Sequence, residues 1–422
     1  MREVAEERPA WAWIDLAALR HNARRATALA AGRSVIAVVK ADAYGHGAEP
    51  VARTLLQEGV GRLAVVSVAE GAKLRRAGIM APILLLGGLD DVSGAERAVK
   101  WGLTPVLHDA RGFELARRFA RADTPLSVEV EIDTGMRRMG VTRELAPAFL
   151  AQLRATPQLV LSGLFSHLAC GDAIDPEPSR EQWAQLAAVV DEHVAKGGAR
   201  PSVHMANSSG LLRLPELEGK GAGDGHSDIG GDRQRVLVTQ AVRPGLMLYG
   251  VSPFIGPGAM GPGAVVGRSA TALDLEPVMT LAARVVSTRR VARGEAVGYG
   301  GTWRAARATT VATLPLGYAD GIPRAAATGG GKVFLAGALR PIVGRASMDY
   351  IGVEVADAPV EVGDVATVFG RTPEGVRVPV EDFAAAAGTL GYEILVGVGA
   401  RVPRRYGEAP PPAEPPRFDR AV

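Results

Sequence analysis

Lysine is rare in this chain, and one of its few lysines stands where chemistry is possible. Six of the 48 basic residues are lysine and the rest are arginine. Lys40 follows the apolar run VIAVV at 35–39, as though a buried strand ended by aiming an ammonium group into a site. An arginine stays charged, whereas a desolvated lysine can shed its proton and act as an amine nucleophile or base. A strand-end lysine can equally snorkel into water, so its companions decide between the two readings. His167 closes the run LVLSGLFSH at 159–167, and Asn207 and Ser208 close SVHMANS at 202–208. A histidine, an amide and a hydroxyl offer proton transfer, orientation and anion binding.

The elements that would hold these groups are legible as periodicity. Eight short apolar runs occur at 34–39, 63–67, 82–87, 104–108, 127–133, 159–167, 202–208 and 243–250. Amphipathic stretches separate them, such as VAEGAKLRRAG and PSREQWAQLAAVVDEHVAKGG, the second with Ser near its start and Gly at its end, as helix termini prefer. Eight strand–helix alternations in about 250 residues predict an α/β fold with an N-terminal (β/α)8 barrel; an open doubly wound sheet is the alternative. In a barrel, Lys40, His167, Asn207 and Ser208 would all fall at the C-terminal ends of strands, where barrel enzymes build their sites.

From about residue 266 the texture changes to β runs and turns, with VEDFAAAAGTL as one short helix. The expected division is a barrel over 1–265, a mostly β domain over 266–406 and a disordered tail over 407–422, whose Pro-rich sequence cannot bury a core. The Gly- and Asp-rich stretch 217–241 reads as a surface insertion before the eighth strand. His226 inside it lacks metal-ligand spacing, and no metal is expected.

Composition bounds the function. At 422 residues the chain exceeds one ordinary core, so two domains are expected. Hydrophobic residues make up 47% and charged ones 22%, as in a globular protein, and no run approaches the length of a membrane span. The opening MREVAEERPAWAW has no apolar signal-peptide region. The lone Cys170 can form neither an internal disulfide nor a thiolate cluster, so a cytoplasmic location is expected. The pI is 9.1, yet the net charge is only +3 and the arginines are interleaved with acids, which argues against nucleic-acid binding.

The segment VVKADAYGHG at 38–47 resembles the alanine racemase family. The likeness continues in one order through WIDLAALRHN, DTGMRRMG, GLFSHLA, HMANSSG, RPGLMLYG, GYGGTW, LPLGYADG, GRASMDY and RVPRRY, spanning nearly the whole chain. The resemblance implies a pyridoxal 5'-phosphate enzyme, a homodimer with active sites shared across its interface, that interconverts L- and D-alanine and supplies D-alanine for cell-wall peptidoglycan. It implies that Lys40 carries the cofactor as a Schiff base and then serves as base on the D face, with Tyr299 of the partner subunit on the L face. A tyrosine ordinarily titrates near 10 and needs nearby cations to act as a base; alone, Tyr299 would be read as a core or interface aromatic. By the same resemblance Tyr44, Ser208 and the backbone amides of Gly245 and Leu246 would hold the phosphate, and Arg243 would face the pyridine nitrogen. A guanidinium there is no proton donor, which favours racemisation over transamination. His167 would orient Arg243 or lie beside the ring, Arg138 would bond the phenolic oxygen near the substrate carboxylate, and the Met348 N–H would meet that carboxylate. Asn207 supports the site, and His204 is read as structural.

Two departures from the family stand out. Many members have a lysine, carbamylated in several, where this chain has Glu131, and an anion there would aim Arg138. Some carry tyrosine before RVP where this chain has Ala400, which would remove one hydroxyl from the phosphate and open space beside the substrate side chain; a hydroxyl from Tyr392 or Tyr406 would restore cofactor affinity and still leave that space open. A serine or broad-specificity racemase is the nearest alternative. A decarboxylase of the same barrel class typically uses a cysteine in the second domain, and the only cysteine here is in the first half. A non-catalytic pyridoxal-phosphate-binding barrel would lack the second domain.

Overall fold

The computed structural model describes residues 9–218, 239–254 and 269–409. Most of the expected insertion, His226 included, and all but the first three residues of the expected tail lie outside the described residues. Eight parallel strands close into a barrel: Ser34–Val38, Arg62–Val65, Ile83–Leu85, Thr104–Leu107, Leu126–Asp133, Leu159–Phe165, Ser202–His204 and Ala241–Val242. The last returns to the first through Ala241 against Ser34. Ile36, Ala37, Leu63, Val65, Ile83 and Leu85 are fully buried, because a parallel sheet covered by helices needs apolar side chains on both faces.

The eighth strand differs from expectation. It occupies only Ala241–Val242, and the expected strand over 243–250 is instead a turn leading into a 3-10 helix, Leu246–Tyr249. Pro244 has no N–H to extend a ladder. The long helix Glu177–Ala195 also starts earlier than its sequence suggests, after Pro176. Ser179 is therefore no cap; its hydroxyl donates to the Cys170 carbonyl at 3.3 Å.

The second sheet has ten strands and contains the residue runs expected of a β domain. Its path is Ser287–Val291, Thr309–Leu314, Ile351–Glu354, Ala338–Val343, Lys332–Leu335, Val365–Arg371, Met279–Arg284, Ala10–Asp15 and Arg404–Gly407. Ala10–Asp15, expected to belong with the barrel, instead lies antiparallel to Met279–Arg284 and parallel to Arg404–Gly407. It leads directly into the first barrel helix, Leu16–Ala30, which Asp15 caps by accepting the Ala18 N–H at 2.9 Å.

The expected helix in VEDFAAAAGTL spans Val380–Ala387 and ends at Gly388 in a left-handed conformation. A further helix, Gly391–Gly397, follows it. It lies against the turn after Lys40 so closely that a Cβ on Gly45 would sit 2.5 Å from the Leu395 carbonyl oxygen. The β domain thus forms part of the barrel's rim. Among the described residues no helix is long and apolar enough to cross a membrane.

Candidate active site at the barrel mouth

Lys40 follows the first barrel strand and opens a turn of unusual hand. Ala41, Asp42, Ala43 and Tyr44 all have φ between 52° and 55°, a left-handed run that costs L-residues roughly 1–2 kcal/mol each. Surrounding hydrogen bonds over-determine it. The Ala41 N–H donates to Glu70 Oε1 at 2.7 Å, and Asp42 Oδ1 accepts from the Ala48 N–H at 3.0 Å and from Lys73 Nζ at 2.7 Å. His46 Nδ1 donates to the carbonyls of Ala43 and Tyr44 at 3.0 and 2.9 Å. Glu70 itself is fixed by a capping box with Ser67, its other oxygen accepting the Val66 and Ser67 N–H groups at 2.9 Å. The lysine is half-buried, and its ammonium is pushed toward deprotonation, first by burial and then by the Arg138 cation, with Glu70 opposing.

Arg243 lies behind this turn on the barrel floor. It is 3% exposed, its Nη2 donates to the Ser166 carbonyl at 2.8 Å and its Nη1 to the His204 carbonyl at 3.1 Å and to His204 Nδ1. The Phe165 ring lies 4.6 Å from its guanidinium carbon. His204 is fully buried and its Nε2 donates to Glu129 Oε2 at 2.8 Å, while Arg62 donates to Glu129 Oε1 at 2.6 Å. Burial opposes the ionisation of Glu129, yet the contacts with His204 and Arg62 hold it at about 2. Burial keeps His204 neutral, so Nε2 carries the hydrogen and Nδ1 accepts from Arg243. His204 is thus more than packing: it props the guanidinium. Burial brings Arg243 down to about 10, with Glu131 and Glu129 opposing, so it remains a cation at neutral pH.

Between Lys40 and Arg243 opens a cavity of about 350 Å³. Lys40, Tyr44, Arg138, His167, Asn207, Ser208, Arg243, Gly245 and Leu246, singled out from the sequence one by one, all line it. His167 is driven down to about 3 by burial and then by the Arg243, Arg138 and Lys40 cations, so it is neutral. Arg138 is exposed and, among the described residues, makes no hydrogen bond or ion pair. One side of the cavity gathers hydroxyls. Ser208 Oγ accepts the Gly245 and Met247 N–H groups at 2.9 and 3.3 Å, which fixes the turn and leaves its own hydrogen free to donate. The Gly245 amide is therefore taken, and of these two amides the Leu246 N–H is the one without a partner among the described residues. A Cβ on Gly245 would meet the Tyr44 hydroxyl at 2.5 Å, so glycine makes the room. Asn207 caps the short helix Ser208–Leu212, its Oδ1 accepting the Gly210 N–H at 2.9 Å.

Two expected residues are elsewhere. Tyr299 and Met348 belong to the β domain and do not line this cavity. Tyr299 is 71% exposed, in a 3-10 turn, and the Met348 N–H has no partner among the described residues. Ala400 is not part of the cavity wall, whereas Tyr392, on the helix Gly391–Gly397, is. Its ring is 6.1 Å from Tyr44, and burial pushes its hydroxyl up to about 12, so it is a neutral donor. Glu131 also lines the cavity but is paired with His108 rather than with Arg138, at 3.1 Å. Of the residues the sequence reading left out, Glu70 carried a signal, the Ser-x-x-Glu of a capping box.

Comparison with known proteins places this geometry. The family description "Alanine racemase, N-terminal domain" matches residues 14–253, and "Alanine racemase, C-terminal domain" matches 278–406. Among curated relatives, the alanine racemase of Sorangium cellulosum is 36% identical over 414 residues, covering 95% of this chain and 100% of that one. That of Stutzerimonas stutzeri is 37% identical, covering 94% and 99%. Among solved structures, the biosynthetic alanine racemase of Pseudomonas aeruginosa superposes with a TM-score of 0.79 at 35% identity, covering 95% and 99% of the two chains. The alanine racemase of Streptomyces coelicolor A3(2) superposes at 0.82 and 34%, covering 94% and 98%. Fold and site together define an amino-acid racemase built on a (β/α)8 barrel with a C-terminal β domain. Within that class, the chain belongs to the alanine racemase family.

Proposed function

We propose that this chain racemises alanine with pyridoxal 5'-phosphate, by two bases on opposite faces of the substrate, to supply D-alanine for peptidoglycan. The observation that carries the proposal is the combination in one cavity of a half-buried lysine biased toward the free amine and an anion cradle. Pyridoxal 5'-phosphate fits the donor set, supplying an aldehyde for Lys40 to hold and a ring that withdraws the electron pair left when Cα loses its proton. The hydroxyls of Tyr44, Ser208 and Tyr392 and the unpaired Leu246 amide can bind its phosphate without titrating. Arg243, fastened by His204 and Ser166, offers the ring nitrogen a hydrogen bond from a group that keeps its proton. Arg138 is free for the substrate carboxylate, and neutral His167 adds no competing charge.

Lys40 would move a proton at Nζ on one face of the substrate Cα. Tyr299 is exposed and does not line the cavity that holds Lys40 of its own chain, so it is assigned to a second copy, in a homodimer in which Met348 travels with it. Serine or a broader amino-acid range remains the second reading, because the cavity wall holds Val38, Val66, Leu86 and Met139 and no side chain dedicated to a methyl group. The test is borohydride reduction of the holoenzyme with peptide mapping, alongside loss of optical activity across L-amino acids. Label on Lys40 and fastest racemisation of alanine are expected; label on another lysine, or no racemisation of alanine, refutes the proposal.

A further inference from the structure

His108 follows the barrel strand Thr104–Leu107, beside the cavity, and the mechanism above does not use it. Its Nε2 is 3.0 Å from the Leu86 carbonyl oxygen. A carbonyl only accepts, so Nε2 carries a hydrogen. Its Nδ1 is buried, has no aligned hydrogen-bond partner, and faces Glu131 Oε2 at 3.1 Å. Both side chains are 9% exposed. A neutral ring bearing its hydrogen on Nε2 would press the Nδ1 lone pair against a carboxylate oxygen, two acceptors in contact away from water. One additional proton held between Nδ1 and Oε2 turns that repulsion into attraction and makes the pair electrically neutral. The ring's position is built into the chain: a Cβ on Gly88 would lie 2.8 Å from His108 Cδ2.

Glu131 lines the same cavity as Arg138, and Arg138 has no partner among the described residues. We propose that His108 is a positioning residue: by sharing a proton with Glu131 it neutralises that carboxylate and keeps the Arg138 guanidinium unpaired for the carboxylate of the substrate. A bare Glu131 would compete with substrate for Arg138, the guanidinium on this cavity that has no partner among the described residues. The inference rests on the reading of Arg138 given under the proposed function.

The test compares holoenzyme with His108→Gln, whose amide can still donate to Leu86 but brings no charge. KM for L-alanine is expected to rise about tenfold or more with a smaller change in kcat, and propionate, a carboxylate without the amine, to bind weaker by a similar factor. His108→Gln combined with Glu131→Gln should bring both values back toward wild type, which a purely structural loss would not do. Nitrogen NMR of wild-type His108 at neutral pH gives a readout independent of any variant's folding. Signals of a doubly protonated ring, or of an Nδ1 hydrogen-bonded to a protonated Glu131, support the proposal. A free Nδ1 beside an ionised Glu131, or unchanged KM and propionate affinity in a folded His108→Gln enzyme, overturns it. A wild type that neither racemises alanine nor binds propionate would bring down the functional reading itself, and this inference with it.

Discussion

Acid should release the turn that carries Lys40, because His46 is built into it uncharged. The ring is fully buried, its Nδ1–H serves the Ala43 and Tyr44 carbonyls, its Nε2 has no partner, and Tyr249 lies 4.6 Å away. Burial is the largest influence and brings its pKa from 6.5 to about 4, with the two carbonyls and Asp42 opposing. The folded ring therefore takes a proton less readily than the unfolded one. The stability this contributes is fully present above pH 6.5 and is lost as pH falls from 6.5 to about 4. The loss amounts to roughly 3 kcal/mol. His46→Asn keeps an N–H able to reach the same carbonyls and cannot ionise. The variant should be less stable than wild type at neutral pH, by about 1–3 kcal/mol for the smaller side chain. Thermal unfolding of both, in constant excess cofactor between about pH 7.5 and 4.5, should show the wild-type curve falling faster and the two converging. Hydrogen exchange at Gly45 and Gly47, whose amides bond across the turn, would locate the loosening. Parallel curves would mean that His46 does not carry the acid sensitivity.

Gly245→Ala would force the Tyr44 hydroxyl back from a contact of 2.5 Å; cofactor affinity should fall at least about tenfold, measured by equilibrium dialysis, with the barrel's circular dichroism intact. Glu70→Gln replaces one of the two oxygens that accept from Ala41 on one side and from Val66 and Ser67 on the other, and removes the one anion among the described residues that opposes proton loss at Lys40. The pH midpoint for cofactor capture by the apoenzyme should move down, and an upward move would contradict the electrostatics. Mixed Lys40→Ala and Tyr299→Phe chains, each inactive alone, should regain part of the activity on subunit exchange; exchange without recovery would place Tyr299 outside its partner's site.

Much of this was legible in the sequence, for reasons that can be stated. Seven of the eight barrel strands coincide with apolar runs because burial on both faces leaves no alternative to such runs. Lys40, His167, Asn207 and Ser208 could be placed at one mouth because parallel strands end on one face. Ala10–Asp15 could not be assigned, since AWAWID is apolar enough for either sheet and its partner Met279–Arg284 lies far along the chain. The helix Gly391–Gly397 was hidden because four of the seven residues in GYEILVG are glycine or β-branched, and with it went the placement of Tyr392. The left-handed turn at 41–44 contradicts the preferences of Ala, Asp and Tyr; contacts from Glu70 and His46 impose it. The His108–Glu131 pair joins two strand ends that no spacing rule connects.

The strand Ala10–Asp15 has a consequence for how the protein is made. It leaves the ribosome long before Met279–Arg284 and Arg404–Gly407, between which it must lie. At ordinary rates of synthesis the interval is on the order of tens of seconds. Through that time a segment with two tryptophans and an isoleucine waits unpaired beside a barrel that is already assembling. The nascent chain therefore exposes a sticky edge ahead of its barrel, a natural hold for a chaperone and a point where two chains synthesised side by side could exchange strands.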